Sequence, residues 1–187
     1  MFHLTNNIPN LFSILRILSI PFIISYSLDQ DSLKSLIGAF LFLFASLTDY
    51  LDGYLARRMK VVSNLGSNLD LLADKLLIVS TLVLICFLFK NIYVFFPVVI
   101  ILMREVYITW LRVVNQLDYK SKDLKVNFLG KIKAAFQMIS VFVLLLSNLS
   151  SPYQVLFKIS GLVLLWIALL LTIISLLVYL VPKKRYY

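Results

Sequence analysis

Residues 49–89 read DYLDGYLARRMKVVSNLGSNLDLLADKLLIVSTLVLICFLF, so an aspartate-rich stretch runs directly into a long apolar segment. The apolar part carries no charged residue after Lys75. A membrane span needs roughly 20 apolar residues, and a helix suits lipid because it satisfies its backbone polar groups internally. The stretch therefore predicts membrane-spanning helices with acidic residues gathered at one end.

The rest of the chain has the same character. It has 187 residues, 61% of them hydrophobic, and its single cysteine, Cys86, excludes an intramolecular disulfide. We expect one domain over residues 1–187, an all-α integral membrane bundle of six transmembrane helices, with residues 6–16 forming a partly separate interfacial helix. The six expected spans cover residues 9–28, 36–57, 67–89, 92–114, 128–148 and 155–181.

The distribution of lysine and arginine predicts the orientation of this bundle. With both termini in the cytoplasm, fifteen of the eighteen Lys and Arg residues lie on or toward the inner side, and only Lys34, Lys90 and Lys158 lie outside. The net charge of +9 follows from this asymmetry and favours attraction to anionic lipid. We therefore expect the lipid bilayer as a partner and no nucleic-acid binding.

Four aspartates lie near the cytoplasmic ends of the second and third expected spans. Asp49 is about 12 Å above Arg57 along its helix, below the surface of the hydrophobic layer. Asp49 and Asp52 are three residues apart, and Asp70 and Asp74 are four apart, so each pair shares one helix face. Ionisable residues at such a depth are expensive and are functional candidates by default. We expect both pairs to face a shared, solvent-filled space.

Four facing carboxylates repel one another unless cations stand between them. A purely oxygen donor set suits Mg²⁺, Mn²⁺ or Ca²⁺ rather than zinc, and Mg²⁺ commonly shares its coordination with substrate phosphates. The pattern therefore favours phosphoryl transfer. The alternative is that the aspartates form salt bridges for assembly alone, with Arg57, Arg58 and Lys75 as partners.

The full spacing is Asp49-x-x-Asp52-Gly53-x-x-Ala56-Arg57, eight residues, then Gly66-x-x-x-Asp70-x-x-x-Asp74. At every fixed position it resembles the signature of the CDP-alcohol phosphatidyltransferase family. This resemblance implies a six-helix membrane enzyme, a homodimer, that moves a phosphatidyl group from a CDP-linked lipid to an alcohol and releases CMP. It also implies in-line attack at phosphorus assisted by two metal ions, Mg²⁺ or alternatively Mn²⁺.

The same resemblance implies roles for individual residues. By this resemblance, Asp49, Asp52 and Asp70 are metal ligands. Asp74 contributes to the metal site and also acts as the general base. Other positions align with residues that bind the CDP-linked donor. The implied metal ligands are Asp49, Asp52, Asp70 and Asp74, and the implied donor-binding residues are Gly53, Arg57, Ser63, Asn10 and Ser13.

Three further segments resemble the phosphatidylglycerophosphate synthase branch of that family. They are residues 8–16 (IPNLFSILR), Arg104-Glu105 followed by Leu111-Arg112, and residues 130–133 (GKIK) with Gln137. This resemblance implies CDP-diacylglycerol as donor, sn-glycerol 3-phosphate as acceptor and a multi-pass enzyme of the bacterial cytoplasmic membrane whose site faces the cytoplasm. A phosphorylated acceptor needs a cationic cluster, and the expected members are Arg104, Arg112, Lys131 and Lys133.

Several alternatives remain open. Arg104 can instead pair with Glu105 or with a neighbouring helix, and Lys131 and Lys133 can be ordinary positive flanking residues. Leu71 stands where the branch commonly has proline, which leaves phosphatidylinositol-phosphate, cardiolipin and phosphatidylcholine synthases as competing family members. A membrane transporter is a more distant alternative, because the outer halves of the spans are almost wholly apolar.

Overall fold

The computed structural model describes residues 8–29, 31–59, 64–117, 128–149 and 152–180, with side chains described at 13–29, 31–48, 72–111, 130–149 and 152–177. Over these ranges the regular secondary structure consists of six α-helices, without a strand. The all-α prediction is therefore confirmed. The helices are α1 (Ile8–Leu28), α2 (Ser32–Met59), α3 (Asn64–Phe89), α4 (Ile92–Leu117), α5 (Phe128–Leu146) and α6 (Gln154–Leu180).

The helix α1 is continuous from Ile8 through Pro21 to Leu28. A partly separate helix over residues 6–16 was expected, but the part of that segment from Ile8 onward belongs to α1. The reason is burial: Ser13 and Arg16 are each only 1% exposed, and α1 packs against both α2 and α3. The segment is thus tied into the bundle through Ser13 and Arg16.

Within the described residues, three helices are apolar enough over a sufficient length to cross a membrane. The corresponding stretches are Leu72–Phe89, Ile92–Leu111 and Gln154–Leu177, and shorter apolar stretches occur at Ser13–Leu28 and Ser32–Thr48. Many of their large apolar side chains point outward, as lipid contact requires; Phe44 is an example. These helices identify the chain as a membrane protein.

The helices pack as an up-and-down bundle around one apolar core. The most extensive contact joins α5 to α6, followed by the contacts of α1 with α2 and α3, while α4 packs on α6 and α3. The core is aliphatic with one large aromatic side chain. Its fully buried members include Ile23, Phe42, Leu77, Leu82, Ile85, Ile101, Leu144 and Leu165.

One end of the bundle, which we call the connection end, is where α1 joins α2, α3 joins α4 and α5 joins α6. At this end, α2 and α4 each start with a side chain that caps the first turn. The Leu33 amide donates to Asp31 Oδ1 at 3.0 Å, and the Tyr93 amide donates to Asn91 Oδ1 at 3.0 Å. Both caps satisfy an amide that a helix start leaves without an intrahelical partner. They stabilise the starts of α2 and α4 at this end.

Neutral hydrogen bonds also join helices toward the connection end. Asn148 Nδ2 donates to the Ser27 carbonyl at 2.8 Å, and Ser140 Oγ donates to the Gly161 carbonyl at 2.9 Å. Gly161 allows α5 and α6 to approach closely, since a Cβ there would lie 2.7 Å from Leu144 Cγ. The opposite end, which we call the aspartate end, contains the α2 backbone at positions 49–59 and the α3 backbone at positions 64–74.

Candidate functional site

A cluster of charged side chains lies between α3, α4, α5 and α6. At its centre is Glu105 of α4, whose Oε2 accepts a hydrogen bond from Lys75 and whose Oε1 accepts one from Lys133. Arg104 Nη1 also donates to Glu105 Oε1, at 3.1 Å, and Arg104 Nη2 donates to Ser175 Oγ on α6 at 2.8 Å. We call these five residues the Glu105 cluster. It links four helices through polar contacts.

The Glu105 cluster is largely shielded from solvent. The exposed side-chain fraction is 6% for Lys133, 11% for Arg104, 12% for Glu105 and 25% for Lys75. Burying an isolated charge is strongly unfavourable, whereas a charge that keeps a close partner of opposite sign can be tolerated. The shared carboxylate therefore explains how three cationic side chains can lie in the interior of a membrane bundle.

Within the contacts that the described side chains make, the Glu105 cluster is not electrically balanced. Three cationic side chains meet one carboxylate, which leaves a formal charge of +2. Among the described residues, two further buried donors, Arg104 Nε and Gln137 Nε2, have no acceptor. Gln137 is 2% exposed and lies one helical turn beyond Lys133 on α5. The cluster therefore offers positive charge and N–H donors to an anion.

The predicted metal ligands lie on α2 and α3. Asp74 immediately precedes Lys75, and its side chain is partly exposed. Asp49 and Asp52 lie in the α2 backbone and Asp70 in the α3 backbone, but their side chains lie outside the described residues. The prediction that all four carboxylates face one space stays a prediction.

The predicted donor-binding residues are only partly within the described residues. Ser13 of α1 is buried, while the side chain of Asn10, one turn earlier, lies outside the described part. Gly53 and Arg57 lie in the backbone of α2, but the surroundings of these two residues are outside the described part. Ser63 lies outside the described residues altogether. Of the predicted donor-binding residues, Ser13 is therefore the one whose side chain is described, and its hydroxyl is buried on α1.

A cavity of about 200 Å³ lies between α1 and α2. It extends along α2 as far as Thr48, the residue directly before Asp49. Most of its lining is apolar, and Arg16 contributes the charged group. The lining residues are Leu15, Arg16, Ser19, Leu41, Phe44, Ala45 and Thr48.

The predicted acceptor-binding residues separate into buried and exposed positions. Arg104 and Lys133 are brought together by Glu105, whereas Lys131, two residues before Lys133, is exposed. Arg112 lies in α4 with its side chain outside the described residues. Both alternative partners considered for Arg104, Glu105 and a neighbouring helix, are observed. Binding of an acceptor by these residues stays a prediction.

Sequence reasoning did not identify Lys75 or Ser175 as partners of the predicted acceptor residues, nor Glu105 as their common centre. A usable signal was present, because Glu105 is the single acidic residue of the α4 segment. An acidic residue within a membrane helix calls for a cationic partner on another helix. Its partners on α3 and α5 are distant in sequence, so the pattern alone does not select them.

The sequence matches the family described as CDP-alcohol phosphatidyltransferase over residues 6–174. The chain is 38% identical over 181 residues to a protein of Rickettsia felis, covering 97% of both chains. It is 37% identical to a Haemophilus influenzae protein, covering 95% of this chain and 94% of that one. It is 36% identical to a Bacillus subtilis protein, covering 90% and 91%, respectively.

All three relatives are named CDP-diacylglycerol–glycerol-3-phosphate 3-phosphatidyltransferase. The family match contains both helices that carry the aspartate pairs, the three helices that meet at Glu105, and α6 as far as residue 174. Since the similarity extends over nearly the whole length, the chain belongs to the CDP-alcohol phosphatidyltransferase family.

Proposed function

We propose that this membrane protein transfers a phosphatidyl group from CDP-diacylglycerol to sn-glycerol 3-phosphate, giving phosphatidylglycerophosphate and CMP. The observation that carries the proposal is similarity along nearly the entire chain to relatives named for this reaction. The net positive Glu105 cluster supports it further, because a phosphorylated acceptor needs cationic partners. The residues 1–187 form one catalytic domain in this proposal.

Members of this family generally use divalent metal ions. We assign two Mg²⁺ ions to this chain, with Mn²⁺ as a substitute, held by Asp49, Asp52, Asp70 and Asp74. An all-carboxylate donor set has the chemistry that Mg²⁺ prefers, and Asp74 directly precedes Lys75 of the Glu105 cluster. When bound, such ions neutralise the charge of a diphosphate and stabilise the charge that develops on the leaving group.

The side chains of the protein accept the proton and bind the two substrates in this proposal. Asp74 accepts the proton of the acceptor hydroxyl as the oxygen attacks phosphorus, which requires this carboxylate to be ionised. Arg104 and Lys133 hold the acceptor phosphate, and the exposed Lys131 contributes longer-range positive charge, as Arg112 does. The CDP-linked donor is held by Gly53, Arg57, Ser63, Asn10 and Ser13.

The proposed setting is the bacterial cytoplasmic membrane, with six spans and both termini in the cytoplasm. The concentration of Lys and Arg residues on one side supports this orientation. A site at the inner boundary suits the donor, whose acyl chains stay in lipid while its headgroup reaches water. We further propose that the enzyme works as a homodimer, which chemical crosslinking of the membrane-embedded protein will test.

The direct test is to incubate the purified protein with CDP-diacylglycerol, Mg²⁺ and one alcohol at a time. We expect rapid CMP release with glycerol 3-phosphate and at least tenfold less with glycerol, myo-inositol 1-phosphate, phosphatidylglycerol or choline. Equal CMP release with several alcohols would reject the acceptor assignment. An absence of CMP release with every alcohol tested would reject the transferase activity.

A further inference from the structure

Glu105 is the common partner of cations from three helices. Lys75 comes from α3, Arg104 from α4 and Lys133 from α5, and each contacts the same carboxylate. Without that carboxylate, three positive charges in a poorly solvated interior repel one another. Lysine side chains are long enough to turn toward the membrane surface and leave such a position. Glu105 therefore determines whether the three cations remain together.

The charge left after pairing matches a phosphate dianion. A phosphate monoester carries a charge of about −2 near neutral pH, and the Glu105 cluster has a formal charge of +2. The buried donors Arg104 Nε and Gln137 Nε2, which have no acceptor among the described residues, add N–H groups that phosphate oxygens can accept from. Four helices fix these groups before any ligand arrives, which lowers the entropic cost of binding.

We propose that Glu105 is a positioning residue that holds Lys75, Arg104 and Lys133 as a preformed site for the phosphate dianion of the acceptor. The inference rests on the proposed function for the identity of the ligand. It adds Lys75 and Glu105 to the acceptor site, and it assigns Glu105 a role in which the carboxylate itself does not touch the acceptor phosphate.

The test compares the whole protein in lipid nanodiscs with the variants Glu105→Gln and Glu105→Asp. Inorganic phosphate binding is measured by calorimetry in the absence of donor, and glycerol 3-phosphate transfer is measured separately. Glu105→Gln keeps the size of the side chain but removes its charge. We expect it to weaken phosphate binding and raise the acceptor KM by at least tenfold, with the donor KM changed less than twofold. Glu105→Asp should restore most of the phosphate binding and bring the acceptor KM back close to that of the wild type.

Tighter phosphate binding by Glu105→Gln would have a different physical cause. If Glu105 merely competes with phosphate for the cations, removing its charge raises the formal charge of the cluster and tightens phosphate binding. Tighter or unchanged phosphate binding by Glu105→Gln therefore overturns the proposal. So does a wild-type protein that binds no phosphate, or a variant whose kcat falls while both KM values stay constant.

A second variant covers the case in which Glu105→Gln does not fold. Lys75→Gln changes a partly exposed side chain and leaves Glu105 with Arg104 and Lys133 as partners. We expect about fivefold weaker phosphate binding, and unchanged binding would again overturn the proposal. The matched control is Asp29→Asn, which neutralises a carboxylate paired with Lys34 in an exposed position at the connection end. Its phosphate affinity should equal that of the wild type.

The two measurements separate this inference from the proposed function. If the wild type binds phosphate through a Glu105-dependent site but does not use glycerol 3-phosphate, the proposed acceptor is wrong and the site stands. If glycerol 3-phosphate is the acceptor but Glu105→Gln leaves its KM unchanged, the function stands and the role of Glu105 is rejected.

Discussion

The connection end and the Glu105 cluster both join helices through buried polar groups, but they do so in different ways. Toward the connection end the partners are neutral: Asn148 and Ser140 donate to backbone carbonyls on other elements. The Glu105 cluster instead buries three cations around one carboxylate and keeps a surplus of positive charge. Buried contacts between helices can therefore be made by neutral groups, while the charged pair at the connection end, Asp29 with Lys34, is exposed.

This difference indicates what the charged region is for. Neutral interhelical hydrogen bonds in membranes contribute about 0.6 kcal/mol each, without the large desolvation penalty that ions carry. A cluster needed only for assembly has little reason to retain unbalanced charge. The contrast therefore favours separate roles, with packing supplied toward the connection end and chemistry near the aspartate end. Substitutions at the two ends should then affect different measurements.

The largest effect is expected from Asp74→Asn. Loss of a general base typically lowers turnover by about 10²- to 10⁴-fold, and asparagine cannot accept the proton. Donor binding should be largely retained, because the other three aspartates remain. Turnover and donor affinity are measured separately, with Asp29→Asn as the control at the opposite end. Turnover within tenfold of the wild type would assign the base to another group.

Arg104→Ala should have the next largest effect, and on one substrate in particular. A hydrogen bond to a charged group contributes about 1.5–3 kcal/mol, which corresponds to a rise of about 10- to 150-fold in the acceptor KM. The donor KM should change far less. Steady-state kinetics with each substrate varied in turn will measure both. An equal rise in the two constants would contradict an acceptor-specific role.

Lys133→Ala and Lys131→Ala form a matched pair two residues apart on α5. Lys133 is buried against Glu105, whereas Lys131 is exposed and its charge is screened by water. We expect Lys133→Ala to raise the acceptor KM about tenfold and Lys131→Ala to raise it less than about threefold. A larger effect from the exposed lysine would move the phosphate site away from the Glu105 cluster.

A substitution that overpacks the helices near the connection end should lower the stability of the protein without changing its catalytic constants. In Gly161→Ala the new Cβ would lie 2.7 Å from Leu144 Cγ and 3.2 Å from the Leu144 backbone nitrogen. Overpacking of this kind typically costs about 1–3 kcal/mol, so the thermal midpoint should fall. Gly130→Ala is the control, since nothing lies within 4 Å of a Cβ there. A kinetic defect in folded Gly161→Ala would contradict the separation of roles.

The sequence was sufficient to predict the helical class, because long apolar runs between short polar turns leave few alternatives. It was less reliable for α1, where residues 6–16 were expected to form a partly separate interfacial helix. Burial of Ser13 and Arg16 against other helices produces the continuous α1 instead. Such burial depends on tertiary contacts that a local pattern does not contain.

The candidate site shows the same limit. The spacing of the aspartates singled out Asp74, and basic residues in the fourth and fifth segments singled out Arg104 and Lys133. The sequence did not reveal that Glu105 joins them, because the contact of Lys75 with Glu105 spans 30 positions and that of Lys133 spans 28. Adjacent residues such as Arg104 and Glu105 suggest a local pair, whereas the observed cluster is assembled by helix packing.

The most direct test of the central claim is mass spectrometric identification of the lipid formed from CDP-diacylglycerol and isotopically labelled glycerol 3-phosphate. The wild-type protein should produce labelled phosphatidylglycerophosphate and one CMP for each product molecule, and Asp74→Asn should produce neither at a comparable rate. A wild-type protein that releases CMP without incorporating the label, or that forms no lipid product, would contradict the proposed reaction.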